Sequence, residues 1–397
     1  MSIFESQPYQ QRIGFLTGIV HLTSPVSPTR FADLNRKFLK SIKQKQEQWI
    51  GAVKGPQKII KKESQFKDIV EWAIDLKLIH KDNTWMWKSH VIAALTTNSL
   101  RDVFLREKTL PNPLDLDEAQ RIAYLYVFLD SDGLFLIPFL QRMADVKELI
   151  VFPQDEHLHL DDPNLNDARV IYRLAWLDVA AALMKSQSYD KRMEGRRIKK
   201  LMEKPPTKPI PRKQKKLSGS EALGLRTYYI KTLSKIEPLV DLRLARRVVD
   251  YKPHYSPVGC LEVFKEVPSL DSLVYRGALS KYLNEEFSRK VARLYGKRET
   301  IQGDDRERLL EKRLAESYLK LTAKGWPITK RNQLALVTVI SSIAGDPCIV
   351  PEVDEVLNLQ LRLQGKYGMK EIELYTDYRG ELSSIKIADS AVRAMTA

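Results

Sequence analysis

Only two cysteines occur, Cys260 and Cys348, and neither has a second cysteine at zinc-ligand spacing. A disulfide framework or a zinc ribbon is thereby excluded as the organising principle of the fold. Long apolar runs are also missing: the greasiest stretch, Ile122 to Leu140, is broken by Asp130-Ser131-Asp132-Gly133. On that count neither a membrane-spanning helix nor a membrane partner is expected. The opening MSIFESQPYQQR has an early acid and lacks the basic-then-apolar order of a leader, so the expected compartment is the cytoplasm. The 17 glycines are scattered, and none builds a phosphate-cradling loop ending in Lys-Ser or Lys-Thr, which argues against an ATPase or a dinucleotide enzyme. No Gly-x-Ser-x-Gly elbow is present, and His254 lies upstream of Cys260 across a proline-containing loop that reads as a connection. No motif fixes a reaction, and no cofactor is expected.

What the 397 residues do carry is positive charge, 65 Lys and Arg against 50 Asp and Glu, a formal net charge of +15. With 43% hydrophobic and 29% charged residues, the chain has the make-up of a globular protein of two or three domains. The excess is concentrated between Lys191 and Lys216. There Lys191, Arg192, Arg196, Arg197, Lys199, Lys200, Lys204, Lys208, Arg212, Lys213, Lys215 and Lys216 face only Glu194 and Glu203, a net of +10. The second half of this window, KPPTKPIPRKQKKLSGS, has four prolines and no aromatic residue, too little apolar surface to offset the entropy of ordering it. Residues 186–220 are therefore expected to be a basic linker between domains, either a sequence-independent phosphate tether or a solubilising spacer.

A second basic stretch runs from Arg36 to Lys67 and includes Lys54, Lys58, Lys61 and Lys62, with Phe38, Trp49 and Phe66 interleaved. Phe38, Leu39 and Ile42 recur at helical spacing with lysines on the other face, so this stretch can fold. Its cations form either a phosphate-facing stripe or an ordinary solvated helix face.

Three places share a pattern in which an amphipathic helix runs into two short strands joined by a polar turn. In the first, Phe66, Ile69, Val70, Ala73 and Ile74 line one helical face, followed by Leu76 to His80, the turn Lys81-Asp82-Asn83-Thr84, and Trp85-Met86-Trp87. In the second, Asp132-Gly133 opens a helix through Leu149, and Ile150 to Phe152 and His157 to Leu160 flank a turn at 153–156. In the third, Pro351 starts a helix with Val353, Val356, Leu357, Leu359, Leu361 and Leu363 as apolar positions. Glu371 to Thr376 and Glu381 to Ile387 then flank Asp377-Tyr378-Arg379-Gly380.

This pattern resembles the winged-helix variant of the helix-turn-helix, above all in EWAIDLKLIHKDNTWMWKSH. The resemblance covers about 25 residues each time. It implies duplex DNA contacted by the helix before each hairpin and by the hairpin tips, with Lys81, Lys88 and Arg379. Carboxylates on the helices, Asp68, Glu71 and Asp75 in the first and Glu352, Asp354 and Glu355 in the third, would repel phosphate; the second offers Gln141, Arg142 and Lys147. The first and third units are accordingly candidates for packing or protein contacts. Between the units, Asp117 caps an apolar helix expected to turn at Asp130–Gly133 into a buried helical hairpin, and Asp304 starts a helix with Leu310, Leu314, Tyr318 and Leu321 inward.

The one local cluster with catalytic colour is Asp155-Glu156-His157-Leu158-His159-Leu160-Asp161-Asp162. On a strand, His157 and His159 share a face and could chelate one metal; Leu158 and Leu160 equally explain the alternation as an edge strand. Glu262 with Glu266 beside Lys265, and Glu371 with Glu373 beside Lys370, miss the spacing of nuclease acid-and-lysine cores and read as structural. Arg243, Arg246 and Arg247 follow the linker within about one helical turn, so at least two can point together at a phosphate or an acidic partner.

The expected fold is mainly α with short β-hairpins, two helical halves containing winged-helix-like units joined by a basic linker. The expected divisions are 1–110, 111–185, the linker 186–220, and 221–397. The expected activity is non-enzymatic binding of duplex phosphates, DNA ahead of RNA, within a larger complex that includes a protein partner or a second copy. The alternatives are a scaffold subunit of a DNA-handling or anti-phage assembly, with a layout similar to kleisin-type subunits, and a metal-dependent nuclease using His157 and His159.

Overall fold

The computed structural model describes residues 13–23, 27–43, 63–96, 116–151, 166–203, 225–249, 254–323 and 327–397. In chain order, the helices are α1 (Ile13–Leu22), α2 (Phe31–Lys43), α3 (Glu63–Asp75), α4 (Trp87–Leu95), α5 (Glu118–Ala144), α6 (Ala168–Lys185), α7 (Tyr189–Glu203) and α8 (Leu225–Asp241). They continue with α9 (Ala278–Leu294), α10 (Gly303–Thr322), α11 (Arg331–Ala344), α12 (Val353–Tyr367) and α13 (Asp389–Thr396). The strands are β1 (Leu149–Ile150), β2 (Ala245–Val249), β3 (His254–Pro257), β4 (Ile328–Lys330), β5 (Ile372–Thr376) and β6 (Leu382–Ile387). The fold is mainly helical with short antiparallel strands, as the sequence leads one to expect.

The chain forms two compact units that do not follow one another along the sequence. One comprises Met1–Leu16, Asn35–Leu76 and Phe128–Ser280; the other comprises Thr17–Leu34, Lys77–Val127 and Lys281–Ala397. This differs from the expected succession of domains at 1–110, 111–185 and 221–397. Local composition marks where a chain changes character, whereas a compact unit is defined by contacts between distant segments.

The core of the first unit is aromatic. Phe38 lies between Phe15 and Phe66 at centroid distances of 6.1 and 5.1 Å. Phe135 gathers Phe139, Tyr172 and Trp176 at 5.3, 5.4 and 4.5 Å. These offset and tilted pairs add to the burial of large apolar surfaces. α5 is long and apolar enough to cross a membrane, and 78% of its most apolar window is buried inside the fold. The helical hairpin expected at Asp130–Gly133 is a kink instead, with a single non-helical residue, Asp132, at φ −133° and ψ 18°. One residue is too few for a reversal. Lys235 of α8 ion-pairs with Asp132 and places its ammonium 4.9 Å above the Phe135 ring.

The sheet of this unit has the order β1-β3-β2, all antiparallel. Leu149 and Ile150 pair with Tyr255 and His254. The intended return strand, with His157 and His159, lies outside the described residues. The expected linker is corrected in its first half: residues 189–203 are the helix α7, because Gly195, Ile198, Leu201 and Met202 fall on one face and bury it.

In the second unit, α11 is buried almost all round and forms the centre. Leu310, Leu314 and Tyr318 of α10 and Val353, Val356, Leu359 and Leu363 of α12 are buried too. Leu361, expected in the same apolar set, is 42% exposed. A capping box of Glu352 and Glu355 starts α12, and Gly368 at φ 95° follows its end. β5 and β6 form the expected hairpin, and β4, preceding α11, pairs with β6 to give the order β4-β6-β5.

The first expected helix-and-hairpin unit is divided at Leu76: α3 belongs to the first compact unit, and the residues after it belong to the second. Its hairpin is reduced to one bridge, Ile79 with Trp85, because Trp87 already begins α4.

Candidate nucleic-acid interface

α7 holds half of the basic window. Its buried face meets α6 at unusually close range: a Cβ on Gly195 would stand 2.8 Å from the Ala180 carbonyl oxygen and 3.0 Å from the Met184 amide nitrogen. Glycine is what lets the two backbones approach. The Arg173 guanidinium of α6 donates to the Met202 carbonyl near the end of α7, satisfying a group that the helix terminus leaves open.

The cations of α7 divide into two sets. Lys191 donates to the Val274 carbonyl, and Arg192 donates to the Ser186 and Gln187 carbonyls at 3.0 and 2.6 Å. Arg197 forks onto Glu194 at 2.9 and 2.8 Å, and Lys199 lies 3.5 Å from Glu203. Arg196 and Lys200 are exposed and have no carboxylate at ion-pair distance among the described residues. Each of these ion pairs is largely solvated and contributes little to stability. Their effect is on which cations remain for a partner. Among the described residues, Arg196 reaches the Met193 sulfur, at 3.9 Å. With Tyr189, 66% exposed, and Met193, 43% exposed, Arg196 and Lys200 follow the i, i+4, i+7, i+11 spacing of one helical face.

Tyr189 and Met193 were not legible as part of a site, since the linker reading hid their register. The signal was present in the spacing of Gly195, Ile198, Leu201 and Met202. Lys54, Lys58, Lys61, Lys62, Arg212, Lys213, Lys215 and Lys216 lie outside the described residues.

Several other expected contact residues are committed within the fold. Arg142 forks onto Asp178 at 2.7 and 2.8 Å, so its donors already face a carboxylate. The expected helix carrying Arg243, Arg246 and Arg247 is a turn and a strand. Arg243 sits at φ 58° just past α8, where the Leu244 amide bonds back to the Leu239 carbonyl and ends the helix. On β2 the alternation leaves Arg246 exposed and turns Arg247 inward to Glu237, whose side chain is fully buried. The Tyr255 hydroxyl donates a hydrogen bond to the same carboxylate. Arg247 is therefore turned into the fold, and the three arginines do not converge.

No protein-family model, curated protein or solved structure matches the chain.

In the second unit, Lys81 is exposed at a turn tied by Asp82, which accepts from the Thr84 amide at 3.1 Å and the Thr84 hydroxyl at 2.7 Å. These bonds hold the Asp82 carboxyl below the usual aspartate value. Lys88, expected at a hairpin tip, is 1% exposed within α4 and so is buried in the fold. The tip of β5–β6 is better formed: Asp377 accepts from the amides of Arg379 and Glu381 at 2.8 and 3.1 Å, and Gly380 takes φ 81°. It displays Tyr378, 88% exposed, with the Arg379 guanidinium 5.1 Å from the ring centroid.

α12, the helix before that hairpin, offers little free positive charge. Arg362 meets Glu307 at 3.2 Å, and Lys366 meets Glu311 at 2.8 Å, which raises the lysine above its ordinary pKa. Arg306 of α10 contacts Glu299 and Glu355. The suspected acid-and-lysine groups are structural pairs: Lys265 with Asp145 and Glu262 at 2.8 and 2.9 Å, and Glu373 with Lys386 at 2.5 Å. Among the described residues, no three His, Cys, Asp or Glu side chains gather as a metal site.

Proposed function

We propose that the protein binds DNA without catalysing a reaction on it, holding the duplex mainly through phosphates as a subunit of a larger DNA-handling assembly. The observation that carries this reading is the net +10 between Lys191 and Lys216, with Arg196 and Lys200 exposed on α7 and without a carboxylate at ion-pair distance among the described residues. Each cation that meets a phosphate releases a counterion, so affinity comes with steep salt dependence and little sequence preference. The C-terminal stretch from Gly303 supports it further. Its order of helix, strand, two helices and hairpin, with β4 beside β6, resembles that of a winged helix, and Arg379 at the hairpin tip would be available to a backbone phosphate.

The test is a mobility-shift titration of the full chain on a duplex of roughly 30 base pairs at about 50 and 200 mM salt. Binding that falls by orders of magnitude across that range is expected. Charge reversal at Arg212, Lys213, Lys215 and Lys216 should abolish it. No shift at micromolar protein would refute the reading.

A second reading, a protein-binding scaffold subunit, rests on α12. Its cations are paired with carboxylates of α10, while Leu361 and, just past its end, Met369 stand 42% and 78% exposed. Under it, the charge-reversed protein keeps its partner. The nuclease alternative depends on His157 and His159, outside the described residues; cleavage in a parallel lane with magnesium or manganese, lost in His157→Ala, would establish it.

A further inference from the structure

We propose that the outer face of α7 takes an unpaired DNA strand, with Tyr189 stacking on a base while Arg196 and Lys200 meet phosphates of the same strand. This rests on the DNA-binding reading and extends it beyond the duplex, since it names the form of DNA that the α7 face accepts.

The argument starts from what the fold leaves over on α7. Lys191, Arg192, Arg197 and Lys199 all meet a carbonyl or a carboxylate, and the two cations that meet neither among the described residues are aligned with the helix's two exposed large apolar side chains. From Tyr189 to Lys200 the stripe is about 16 Å long at the rise of an α-helix, room for a few nucleotides. The charge on it is complementary to a phosphodiester chain.

The aromatic end decides which kind. A duplex keeps its base faces inside the stack and offers a helix only phosphates and groove edges, so a tyrosine ring beside the backbone gains little. An unpaired strand exposes a π-face at every base, and stacking there is tolerant of sequence. Met193, next on the stripe, adds a polarizable thioether that adapts to whichever base lies over it. The platform is also rigid before binding. Gly195 seats α7 directly on the α6 backbone, and the bonds of Lys191, Arg192 and Arg173 fix both ends of the helix, so the backbone needs no ordering on binding.

The experiment is fluorescence anisotropy of the full chain with a labelled oligothymidine of about 20 nucleotides and, in parallel, a blunt duplex of the same length. All three side chains are exposed, so their replacement should leave the fold intact. Tyr189→Ala is expected to weaken single-strand binding about tenfold while leaving the duplex within about twofold, and Tyr189→Phe is expected to keep both. The double variant Arg196→Ala, Lys200→Ala should lower the salt slope on the single strand by about 1.4. Equal effects of Tyr189→Ala on both probes, or none on the oligothymidine, would overturn the inference and leave duplex binding standing. Failure of the unaltered protein to bind either probe would overturn the DNA-binding reading itself.

Discussion

Two glycines in helix interiors carry opposite expectations, and together they test whether α7 is a packed element of the fold. An alanine at Gly195 would place its Cβ 2.8 Å from the Ala180 carbonyl oxygen and 3.0 Å from the Met184 amide nitrogen. Both are backbone atoms of α6 and cannot rotate aside, so α7 has to move outward. Overpacking of this kind costs about 1–3 kcal/mol. The displacement also exposes part of Ile198, Leu201 and Met202, while the better helix propensity of alanine returns about 1 kcal/mol. The net expectation for Gly195→Ala is a loss of about 1–2 kcal/mol. At Gly365 in α12, among the described residues, no atom outside its own helix turn lies within 4 Å of the position a Cβ would take. There Gly365→Ala should gain about 0.5–1 kcal/mol from helix propensity alone. Thermal unfolding of both variants gives the signs. Hydrogen exchange of the α7 amides then shows whether the loss is local to that helix. If Gly195→Ala stabilises the protein as Gly365→Ala does, the close seating of α7 on α6 is wrong.

The buried carboxylate of Glu237 faces Arg247 and Tyr255, so Glu237→Gln should cost about 3 kcal/mol in urea unfolding, because it leaves a largely buried guanidinium without its counter-charge; a loss below about 1 kcal/mol would show the cluster to be solvated. Burial raises the pKa of Asp117, which caps α5 through the Gln120 amide at 2.8 Å. The folded chain therefore holds that proton more tightly than the unfolded one, and the resulting stability is complete below about pH 4 and is lost as pH rises through the raised value. Asp117→Asn keeps a capping side chain and removes that decline, so the melting temperatures of variant and parent should diverge in the variant's favour as pH rises; parallel curves would count against it. At the β5–β6 tip, Asp377→Ala removes two acceptor bonds and should speed exchange of the Arg379 and Glu381 amides with a loss of about 1 kcal/mol, whereas unchanged exchange would mean that the turn holds without them.

The parts of the fold that the sequence showed are those where local pattern and tertiary role agree. α12 and its hairpin were legible because apolar spacing, the polar turn and the glycine near the helix end all point the same way. The parts it did not show have distant partners. β1 is two residues long, and nothing near Leu149 and Ile150 reveals that Tyr255 and His254 complete its pairing. Arg247 looked like a surface cation because its neighbours are basic; only the buried Glu237 turns it inward. Composition misled at residues 189–203, where proline and charge in the following segment outweighed a helical spacing that was already present. The kink at Asp132 was misread for a related reason, since Asp-Ser-Asp-Gly is turn chemistry, yet only Asp132 leaves helical geometry there.

The interlaced segments of the two compact units bear on how the chain reaches its fold during synthesis. The first unit opens with the earliest residues and closes only when the stretch ending at Ser280 has emerged, by which time the early segments of the second, Thr17–Leu34 and Lys77–Val127, are already outside the ribosome without their Lys281–Ala397 counterpart. Neither half of a chain cut at the basic tract would hold a complete core. Fragments made there should be insoluble alone and recover structure only when co-expressed, so the basic tract is no place to divide this protein for study.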